Sequence, residues 1–467
     1  MITLPSFPRL IPSVRRQFEA ARSYSESLRS WSGQATADVQ LRKLQGVWSD
    51  CISDVPYYRN LVNRGKAPDE INSWDDFRKL PALDRPTLKE NASAFIRDSG
   101  PPDGTVSTAG STGQPVKLGT WRHEGEPIRV AKLVPWVRLG YTLDSRVYLI
   151  WGHAHLLGTS WRRYVNHAIR KAKDCALGYT RVDAYTMNAA KCEKIAREII
   201  QLRPVGLIGY AAVLDLLARQ TTPFHDQLRA AGLRFVMSCA EPPPREDTFA
   251  LLRRIFGCPI LQEFGGVDFG HVAFKVDDEP FQVFPDMNIL EADPGSDEQG
   301  GRAALVTTLY PRYTPLIRYR QGDLLRGVRQ QEHGHVFEFT ELCGRINDTI
   351  RLDDGTSIHS VALVHCFKDE DSIFNVQLVL TNQGPVFSLV ARGPLADAEE
   401  RRVRHRLAQI HPSLSRARFE IVSDLQTNRA GKRRWFIDQR SNLGAGLSGV
   451  KAEVRAISPT SASRGCR

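Results

Sequence analysis

The sequence lacks the features of a membrane-spanning or secreted protein. It has no run of about eighteen or more apolar residues, which excludes an apolar helix long enough to cross a bilayer. Residues 1–5 lack the basic-then-apolar pattern of a secretion signal, so we expect a cytoplasmic protein. The eight cysteines form no Cys-x-x-Cys pair. We therefore expect reduced, mostly buried thiols and no zinc site.

A glycine-rich stretch at residues 106–116, Val-Ser-Thr-Ala-Gly-Ser-Thr-Gly-Gln-Pro-Val, lacks both common nucleotide-binding motifs. It has no Gly-Lys-Ser/Thr ending of a Walker loop, and it is not part of a Gly-x-Gly-x-x-Gly turn. Its amides and hydroxyl groups could still hold a phosphate, because glycine lets the backbone approach a ligand closely. The same composition is typical of an ordinary surface loop. The stretch alone leaves both interpretations open.

Length, composition and charge indicate a globular protein that attracts anions. The chain has 467 residues, of which 42% are hydrophobic and 25% charged, and its formal net charge is +11. This length predicts about three domain-sized units. The positive charge suits a nucleotide, coenzyme A or an acidic carrier protein. We do not expect nucleic acid as a partner, because the charge is spread along the chain without a recognisable nucleic-acid-binding module.

Strands and helices alternate through the middle of the chain, after a helical lead-in over residues 1–100. This alternation predicts crossover units and a covered, mostly parallel sheet. Strand-rich sequence follows from residue 281, where we expect a small barrel-like region. The alternating segments are helices at 122–139, 189–202, 211–220 and 245–256, and strands at 146–152, 205–210 and 234–238.

We therefore predict an α/β protein with several domains. A large N-terminal domain covers residues 1–342, and a small α+β domain covers residues 343–440. Residues 441–467 are rich in Ser, Gly and Ala, and we expect a disordered tail. The small domain is predicted to contain a hairpin around 353–355, strands at 375–380 and 386–391, and a helix at 396–409.

Two stretches after the glycine loop carry groups that suit a nucleotide. Ala240 and Glu241 directly follow a strand, where ligand crevices form in parallel sheets. Further on, Phe264 could stack on a base and Asp268 could bind Mg²⁺. The alternative for that second stretch is a strand-to-turn transition with a core phenylalanine.

Two more stretches follow toward the C-terminus. Asp323 ends the run Arg-Tyr-Arg-Gln-Gly-Asp at 318–323, where a carboxylate could accept both hydroxyls of a ribose. The last stretch is Gly-Arg-Ile-Asn-Asp at 344–348, followed far downstream by Gly-Lys at 431–432.

In this order, the motifs resemble the adenylate-forming superfamily of acyl-CoA synthetases. The resemblance is closest to its phenylacetate-CoA ligase-like branch with the capsular-polysaccharide relatives, and it covers roughly residues 70–440. It implies a large domain that holds ATP and a carboxylic acid, and a small mobile domain that closes over them and then rotates. The implied partners are a small carboxylic acid and an acceptor, and the implied cofactors are ATP, Mg²⁺ and coenzyme A.

The resemblance also implies a role for each matching residue. Adenylation joins two anions, so a lysine, Mg²⁺ and backbone donors must offset the developing charge. The glycine loop would hold the β- and γ-phosphates through Thr108, Gly110, Ser111, Thr112 and Gly113. For the rest, Ala240 and Glu241 would border the adenine, with Phe264 and Gly265 at its face. Asp268 would serve Mg²⁺, Asp323 the ribose, Arg345 the ribose and phosphate, and Lys432 the carboxylate and α-phosphate.

Four positions depart from the family pattern. Gln114 stands where the loop usually carries lysine, and Phe264 replaces the common tyrosine. Asp268 replaces the usual glutamate, and Asn347 occupies a hinge position where aspartate or lysine is often found. These changes bear more on the second half-reaction, which depends on the hinge, than on adenylation.

Histidines and a basic run offer further candidates. His153 and His155 form a His-x-His pair, but without a third ligand a metal site is not expected. The resemblance places His153 beside the acyl pocket, where it would meet the carboxylate. The basic run at 401–406 on the last predicted helix is interpreted as a solvated face. Its alternative role is a docking surface for coenzyme A phosphate or an acidic carrier protein.

Three functions follow from the sequence. The first is ATP- and Mg²⁺-dependent adenylation of a carboxylic acid, aromatic or otherwise apolar, with transfer of the acyl group to coenzyme A. The second keeps adenylation but uses an amine or a carrier-protein thiol as acceptor, as in amide synthetases of secondary metabolism. The third is a non-catalytic ATP-binding protein that lost its chemistry through Gln114, Asp268 and Asn347. The sequence does not identify the acid or the oligomeric state.

Overall fold

The structure is a computed structural model that confirms the α/β fold class. It describes residues 11–28, 31, 33–107, 117–152, 162–239, 243–296, 301–330, 335–343, 349–367, 370, 372–422, 425 and 436–440. Within these ranges, no helix combines the length and hydropathy needed to cross a membrane. Six cysteines in these ranges are free thiols. Cys175 is exposed, and the other five are buried: Cys51, Cys192, Cys239, Cys258 and Cys366.

The lead-in is helical, as predicted. Its α4 begins with a capping box, because the Ser73 hydroxyl accepts from the Asp76 amide at 3.2 Å and the Asp76 carboxylate accepts from the Ser73 amide at 3.0 Å. The lead-in consists of α1 (Pro12–Ser27), α2 (Gly33–Asp54), α3 (Pro56–Asn63), α4 (Trp74–Lys79), β1 (Leu83–Asp84), α5 (Arg85–Glu90) and a 3₁₀ turn (Ala92–Phe95).

The glycine-rich stretch joins the two strands of a hairpin. These are β2 (Gly104–Ser107) and β3 (Lys117–Thr120), which pair antiparallel, with Ser107 opposite Lys117. Residues 108–116 between them lie outside the described residues. The hairpin leads into α6 (Gly125–Arg138), which confirms the predicted helix there.

Among the residues that the structure describes, a nine-stranded sheet forms the centre of the fold. Its strands β5, β4, β7, β8 and β9 are parallel, and β10, β11, β16 and β15 continue it antiparallel. The predicted parallel sheet is therefore present and has an antiparallel extension. The strands are β4 (Val147–Ile150), β5 (Tyr179–Val182), β7 (Gly206–Tyr210), β8 (Phe235–Cys239), β9 (Ile260–Gly266), β10 (Gly270–Val276), β11 (Phe281–Val283), β15 (Arg329–Gln330) and β16 (Val336–Phe339).

Helices cover both faces of the parallel strands. Side chains alternate between the faces, so that Val147 and Leu149 pack in the cluster with α1 and α6, whereas Tyr148 and Ile150 pack on the opposite face. The helices in this part of the chain are α7 (Arg162–Ala176), α8 (Ala189–Leu202), α9 (Ala211–Gln220), α10 (His225–Ala230) and α11 (Thr248–Phe256).

A second sheet follows the change to strand-rich sequence. Its described part has five strands: β1, β14, β13 and β12 are neighbours in that order, and β17 also pairs with β14. A bridge between Glu291 and His335 joins it to the rim of the central sheet. This is the region where a barrel-like arrangement was expected. Its strands are β12 (Asn288–Ser296), β13 (Arg302–Thr308), β14 (Tyr319–Arg326) and β17 (Glu341–Cys343).

The C-terminal part has its own core, and the predicted hairpin, strands and helix are present. One strand from earlier in the chain, β6 (Thr186–Met187), pairs with β19. The division into a 1–342 domain and a 343–440 lid stays a prediction. The elements are β18 (Thr349–Arg351), β19 (Ser357–His359), α12 (Ser360–Phe367), β20 (Ile373–Thr381), β21 (Gly384–Ala391), α13 (Asp397–Ile410), α14 (Pro412–Ser415), β22 (Arg418–Ile421) and β23 (Phe436–Asp438).

The basic run on α13 is not simply a solvated face. Arg406 is buried, and its guanidinium bonds to the Glu370 carboxylate and the Cys366 carbonyl. Arg402 donates to the same carboxylate at 3.2 Å, and Arg404 reaches the Ser415 carbonyl at 2.7 Å. Of these three arginines only Arg406 is buried, so the interpretation of the run as a solvated face was wrong for Arg406. The Arg402 side chain is 52% exposed and keeps that interpretation.

Candidate active site

Only part of the candidate site lies within the described residues. Phe264, Gly265, Asp268 and Asp323 are described. The remaining site candidates lie outside the described residues, and their roles stay predictions: Thr108, Gly110, Ser111, Thr112, Gly113, His153, Ala240, Glu241, Arg345 and Lys432.

The carboxyl ends of the parallel strands lie at one edge of the central sheet. Ile150 is the register partner of Gly209, and Tyr210 is the partner of Cys239. Strands β4, β7 and β8 therefore end at the same edge of the sheet, where ligand crevices form. In the sequence, His153 follows β4 and Ala240 follows β8. An aromatic wall lies there, because the rings of Trp151 and Tyr210 stack with centroids 4.4 Å apart.

The hairpin between β9 and β10 carries Asp268 at its turn. Gly265 pairs with His271, and the two strands approach so closely that a Cβ at Gly265 would lie 2.7 Å from the Gly270 carbonyl oxygen. Gly270 has φ +76°, a conformation that favours glycine. The two glycines thus allow a tight turn that presents the Asp268 carboxylate.

Asp268 is 8% exposed. Burial raises the pKa of its carboxyl, while the Tyr319 hydroxyl and the charges of Arg85 and Arg312 oppose that increase. A carboxylate that is costly to ionise alone is stabilised by a cation beside it. Among the described residues, no three His, Cys, Asp or Glu side chains cluster to hold a metal. One carboxylate combined with phosphate oxygens is a usual mode of Mg²⁺ binding, so Asp268 fits that ion only together with a nucleotide.

Phe264 belongs to the hydrophobic core. Its side chain is 1% exposed, and the centroid of its ring lies 5.9 Å from those of Phe269 and Phe339. The sequence left two interpretations of Phe264, a ring that stacks on a base and a ring of the hydrophobic core, and its packing agrees with the second. Stacking on adenine stays a prediction, and it requires a ring face that is covered in this structure.

Asp323 lies in a bulge of β14. Arg320 pairs with Leu305 and Leu324 pairs with Ala303, so three residues of β14 oppose one of β13. Within the bulge, Gly322 has φ +105°, and the Asp323 amide donates to the side-chain oxygen of Gln321 at 2.6 Å. Bulges re-aim side chains beside active sites, which accounts for the glycine before this carboxylate.

The chain that leads to Arg345 starts beside Asp323. Cys343, the last residue of β17, is the register partner of Leu324. The described part of β17 therefore ends one register position from Asp323. Residues 344–348 lie outside the described residues, so the position of Arg345 itself stays a prediction.

A buried hydrogen-bond network connects the glycine-loop hairpin to Asp268. The Glu124 carboxylate accepts from the Trp121 amide at 2.8 Å and from the Tyr313 amide at 2.6 Å. It also pairs with the Arg312 guanidinium at 3.4 Å, and Arg312 donates to the Asp268 carbonyl oxygen. The end of β3, the segment before β14 and the Asp268 turn are thereby held together.

Sequence reasoning missed Glu124 and Arg312. Their partners are up to 189 positions away in the chain, so no local pattern marks them. A basic and an acidic residue among helix-start and turn residues look like ordinary surface charges, and only burial distinguishes them.

A second polar cluster, also missed, lies on the α6 face of the central sheet. The His271 ring nitrogen Nδ1 lies 3.0 Å from the Glu263 carboxylate. Burial alone would raise the pKa of Glu263, but His271, Lys132 and Cys239 together hold it below its usual range. Burial and the Glu263 charge raise the pKa of the Cys239 thiol well above its usual value. An ionised carboxylate thus lies next to the last residue of β8, where Ala240 follows.

We expect Gly265→Ala to displace the Asp268 turn. Its Cβ would meet backbone rather than a flexible side chain, so the hairpin must shift, at a cost of about 1–3 kcal/mol in the free energy of unfolding. Urea titration should show this loss, and Mg²⁺-dependent nucleotide binding should weaken with it. Gly46→Ala is the matched control: it has open space in α2, so it should stabilise by about 0.5–1 kcal/mol. Equal effects of the two changes would contradict the close approach.

Solved structures of other proteins share this fold. 2-Hydroxyisobutyryl-CoA ligase with 2-HIB-AMP and CoA in the thioesterification state matches with TM-score 0.54 and 18% identity, over 86% of this chain and 89% of that chain. Its open form with the same ligands matches with TM-score 0.51 and 17% identity, over 86% and 91%. The postadenylation state with R3-HIB-AMP has TM-score 0.51 and 16% identity, over 86% and 89%. No protein-family model and no curated protein matches the sequence.

Proposed function

We propose that the protein adenylates a carboxylic acid with ATP and transfers the acyl group to coenzyme A. The proposal is supported by the fold, which is similar to that of 2-hydroxyisobutyryl-CoA ligase over 86% of this chain, and that structure contains 2-HIB-AMP and CoA. The phenylacetate-CoA ligase-like branch is part of the proposal and rests on the motifs alone.

The observation that carries the proposal is the network of Glu124 and Arg312. It holds the hairpin of the glycine loop and the turn of Asp268 in one rigid arrangement. A phosphate-binding loop and a Mg²⁺ carboxylate must be fixed relative to each other if both act on one triphosphate. An ordinary surface loop needs no such support.

In the proposed reaction, the substrate carboxylate attacks the α-phosphorus of ATP, and pyrophosphate leaves. Bound Mg²⁺ would supply charge neutralisation on the phosphates. The amides and hydroxyls of residues 108–113 would donate to the β- and γ-phosphates, and Asp323 would accept the ribose hydroxyls. Lys432 and Arg345 would offset the charge that develops at the α-phosphate.

The second step would transfer the acyl group from AMP to a thiol. The coenzyme A sulfur attacks the acyl carbon, AMP leaves, and the thiol proton goes to solvent or a nearby base. With an amine or a carrier protein as acceptor, the amine nitrogen or the carrier sulfur would attack the acyl carbon instead, and AMP would again leave. Asn347 replaces the aspartate or lysine often found at the hinge, and the second step depends on that hinge. The identity of the acceptor therefore has to be measured directly.

The test is a product analysis over a panel of acids. Protein, ATP and Mg²⁺ are incubated with aromatic, short aliphatic, 2-hydroxy and amino acids, each with and without coenzyme A, and products are identified by mass. AMP and an acyl-CoA thioester are expected for one class of acid. Amide products formed with added amines would show that the acceptor is an amine rather than coenzyme A. ATP binding without release of pyrophosphate for any acid would indicate a non-catalytic binding protein.

Gln114→Lys should speed adenylation or lower the KM for ATP. A lysine adds a cation to a loop proposed to hold two phosphates, and one charge-assisted hydrogen bond contributes about 1.5–3 kcal/mol, which is roughly tenfold or more in affinity. Gln114→Met, of similar size without charge, is the control. An ATP dependence that is identical in the three proteins would place the phosphates elsewhere.

A further inference from the structure

Helix α7 exposes its apolar side chains to solvent. A helix packed at the edge of a sheet normally buries its apolar stripe against the sheet. Here the apolar side chains are exposed: Tyr164 is 73% exposed, Val165 40% and Ile169 48%. Among the side chains of this helix that the structure describes, residues 164–176, the buried one is Asp174. Its carboxylate accepts from the Arg181 guanidinium of β5 at 2.8 Å and 3.0 Å.

The exposed apolar residues form one continuous stripe. At about 100° per residue, Tyr164, Val165, Ala168, Ile169 and Ala172 fall within an arc of roughly 140°, and all five are exposed. We call this arc the α7 stripe. Contiguous apolar surface of this kind marks a site of interaction.

Basic residues border the α7 stripe. Lys171 lies at one edge and Lys173 at the other, and both are exposed. Residues 164–176 include these two lysines and Arg170, and their single acidic residue is the buried Asp174. An apolar stripe with lysines on both borders is the pattern of helices that lie in the surface of an anionic bilayer, where the lysine stems extend toward the headgroups.

We propose that the α7 stripe docks the protein on an anionic lipid surface. Tyr164, Val165 and Ile169 would enter the boundary between headgroups and acyl chains, and Lys171 and Lys173 would meet lipid phosphates. The charge favours this occupant over a second copy, because two α7 helices placed together would bring like charges into contact. The net charge of +11 adds attraction at longer range.

Co-sedimentation of the full chain with vesicles tests the proposal. The protein should pellet with vesicles of phosphatidylcholine and phosphatidylglycerol, pellet much less with phosphatidylcholine alone, and be released by added salt. Ile169→Glu should lower the partition coefficient at least tenfold, since it removes an apolar side chain that the bilayer would bury. Lys171→Ala should lower it about fivefold.

Ile421→Glu is the matched control, because Ile421 is 44% exposed on β22, away from α7 in the chain. It should pellet like the unmodified protein, and thermal melts should show that all variants fold. Val165→Ser provides a second stripe variant if Ile169→Glu unfolds. No anionic-vesicle binding, or equal binding by Ile169→Glu, overturns the proposal. A dimer that Ile169→Glu dissociates, without vesicle binding, would assign the stripe to a contact between copies and overturn it too.

Discussion

Lys432→Ala and Asp323→Ala are each expected to lower acid-dependent pyrophosphate release by about 10²–10³-fold, the usual effect of removing one group that stabilises developing charge or fixes the substrate. Lys432 would offset the charge at the α-phosphate, and Asp323 would hold the ribose from its bulge in β14. The loss should appear mainly in kcat for Lys432→Ala, since this lysine acts in the transition state. Asp323→Ala should also raise the KM for ATP.

Conservative variants sharpen this prediction. Lys432→Arg keeps the charge and should retain part of the activity, whereas Asp323→Asn keeps the shape and should lose most of it. Asp69→Ala, at an exposed position of the lead-in, is the control and should leave both constants unchanged. Normal turnover by both alanine variants would show that the assignment of the site is wrong.

Arg97→Ala is expected to cost about 2–4 kcal/mol in the free energy of unfolding, because it leaves two buried backbone carbonyls without their donor, at about 1–3 kcal/mol for each unsatisfied group. The Arg97 side chain is 1% exposed and pairs with Asp50 at 2.7 Å and Asp54 at 2.8 Å. The same guanidinium donates to the Tyr313 carbonyl at 2.9 Å and the Arg312 carbonyl at 2.7 Å. It also lies 4.5 Å from the centroid of the Trp121 ring.

Urea unfolding monitored by tryptophan fluorescence measures this loss. Arg97→Lys should recover little, because an ammonium cannot reproduce the fork that bonds to four acceptors at once. Arg64→Ala, at an exposed arginine just after α3, should change the stability by less than about 0.5 kcal/mol. A midpoint for Arg97→Ala equal to that of Arg64→Ala would contradict the role of this network.

Arg97 also links stability to the candidate site. Its acceptors include the backbone of Arg312 and Tyr313, the segment that Glu124 fixes next to the Asp268 turn. The helical lead-in therefore does more than cover the sheet, because α2 supplies Asp50 and Asp54 to this arginine. A destabilised Arg97 variant should also bind nucleotide more weakly.

Local signals were sufficient for much of the fold. The predicted helices at 189–202 and 211–220 have the bounds of α8 and α9, since their apolar period and flanking residues agree. The hairpin at 353–355 was likewise predictable, because tight turns depend on a few adjacent residues.

Non-local features were not visible in the sequence. The Arg97 and Glu124 networks join residues more than 180 positions apart, so no window of sequence contains both partners. Helix α7 was not predicted either, and its stripe faces outward, which no periodicity reveals. For Phe264, the residue type fits both a stacking ring and a core ring, and only its packing against Phe269 and Phe339 distinguishes them.

The most direct test of the central claim is acid-dependent exchange of labelled pyrophosphate into ATP. Exchange requires a reversible attack of a carboxylate on the α-phosphorus, so it reports adenylation without any acceptor. We predict exchange with at least one class of carboxylic acid, dependent on Mg²⁺ and lost in Lys432→Ala. Bound ATP with no exchange for any acid, or exchange that persists in Lys432→Ala, would contradict the proposed function.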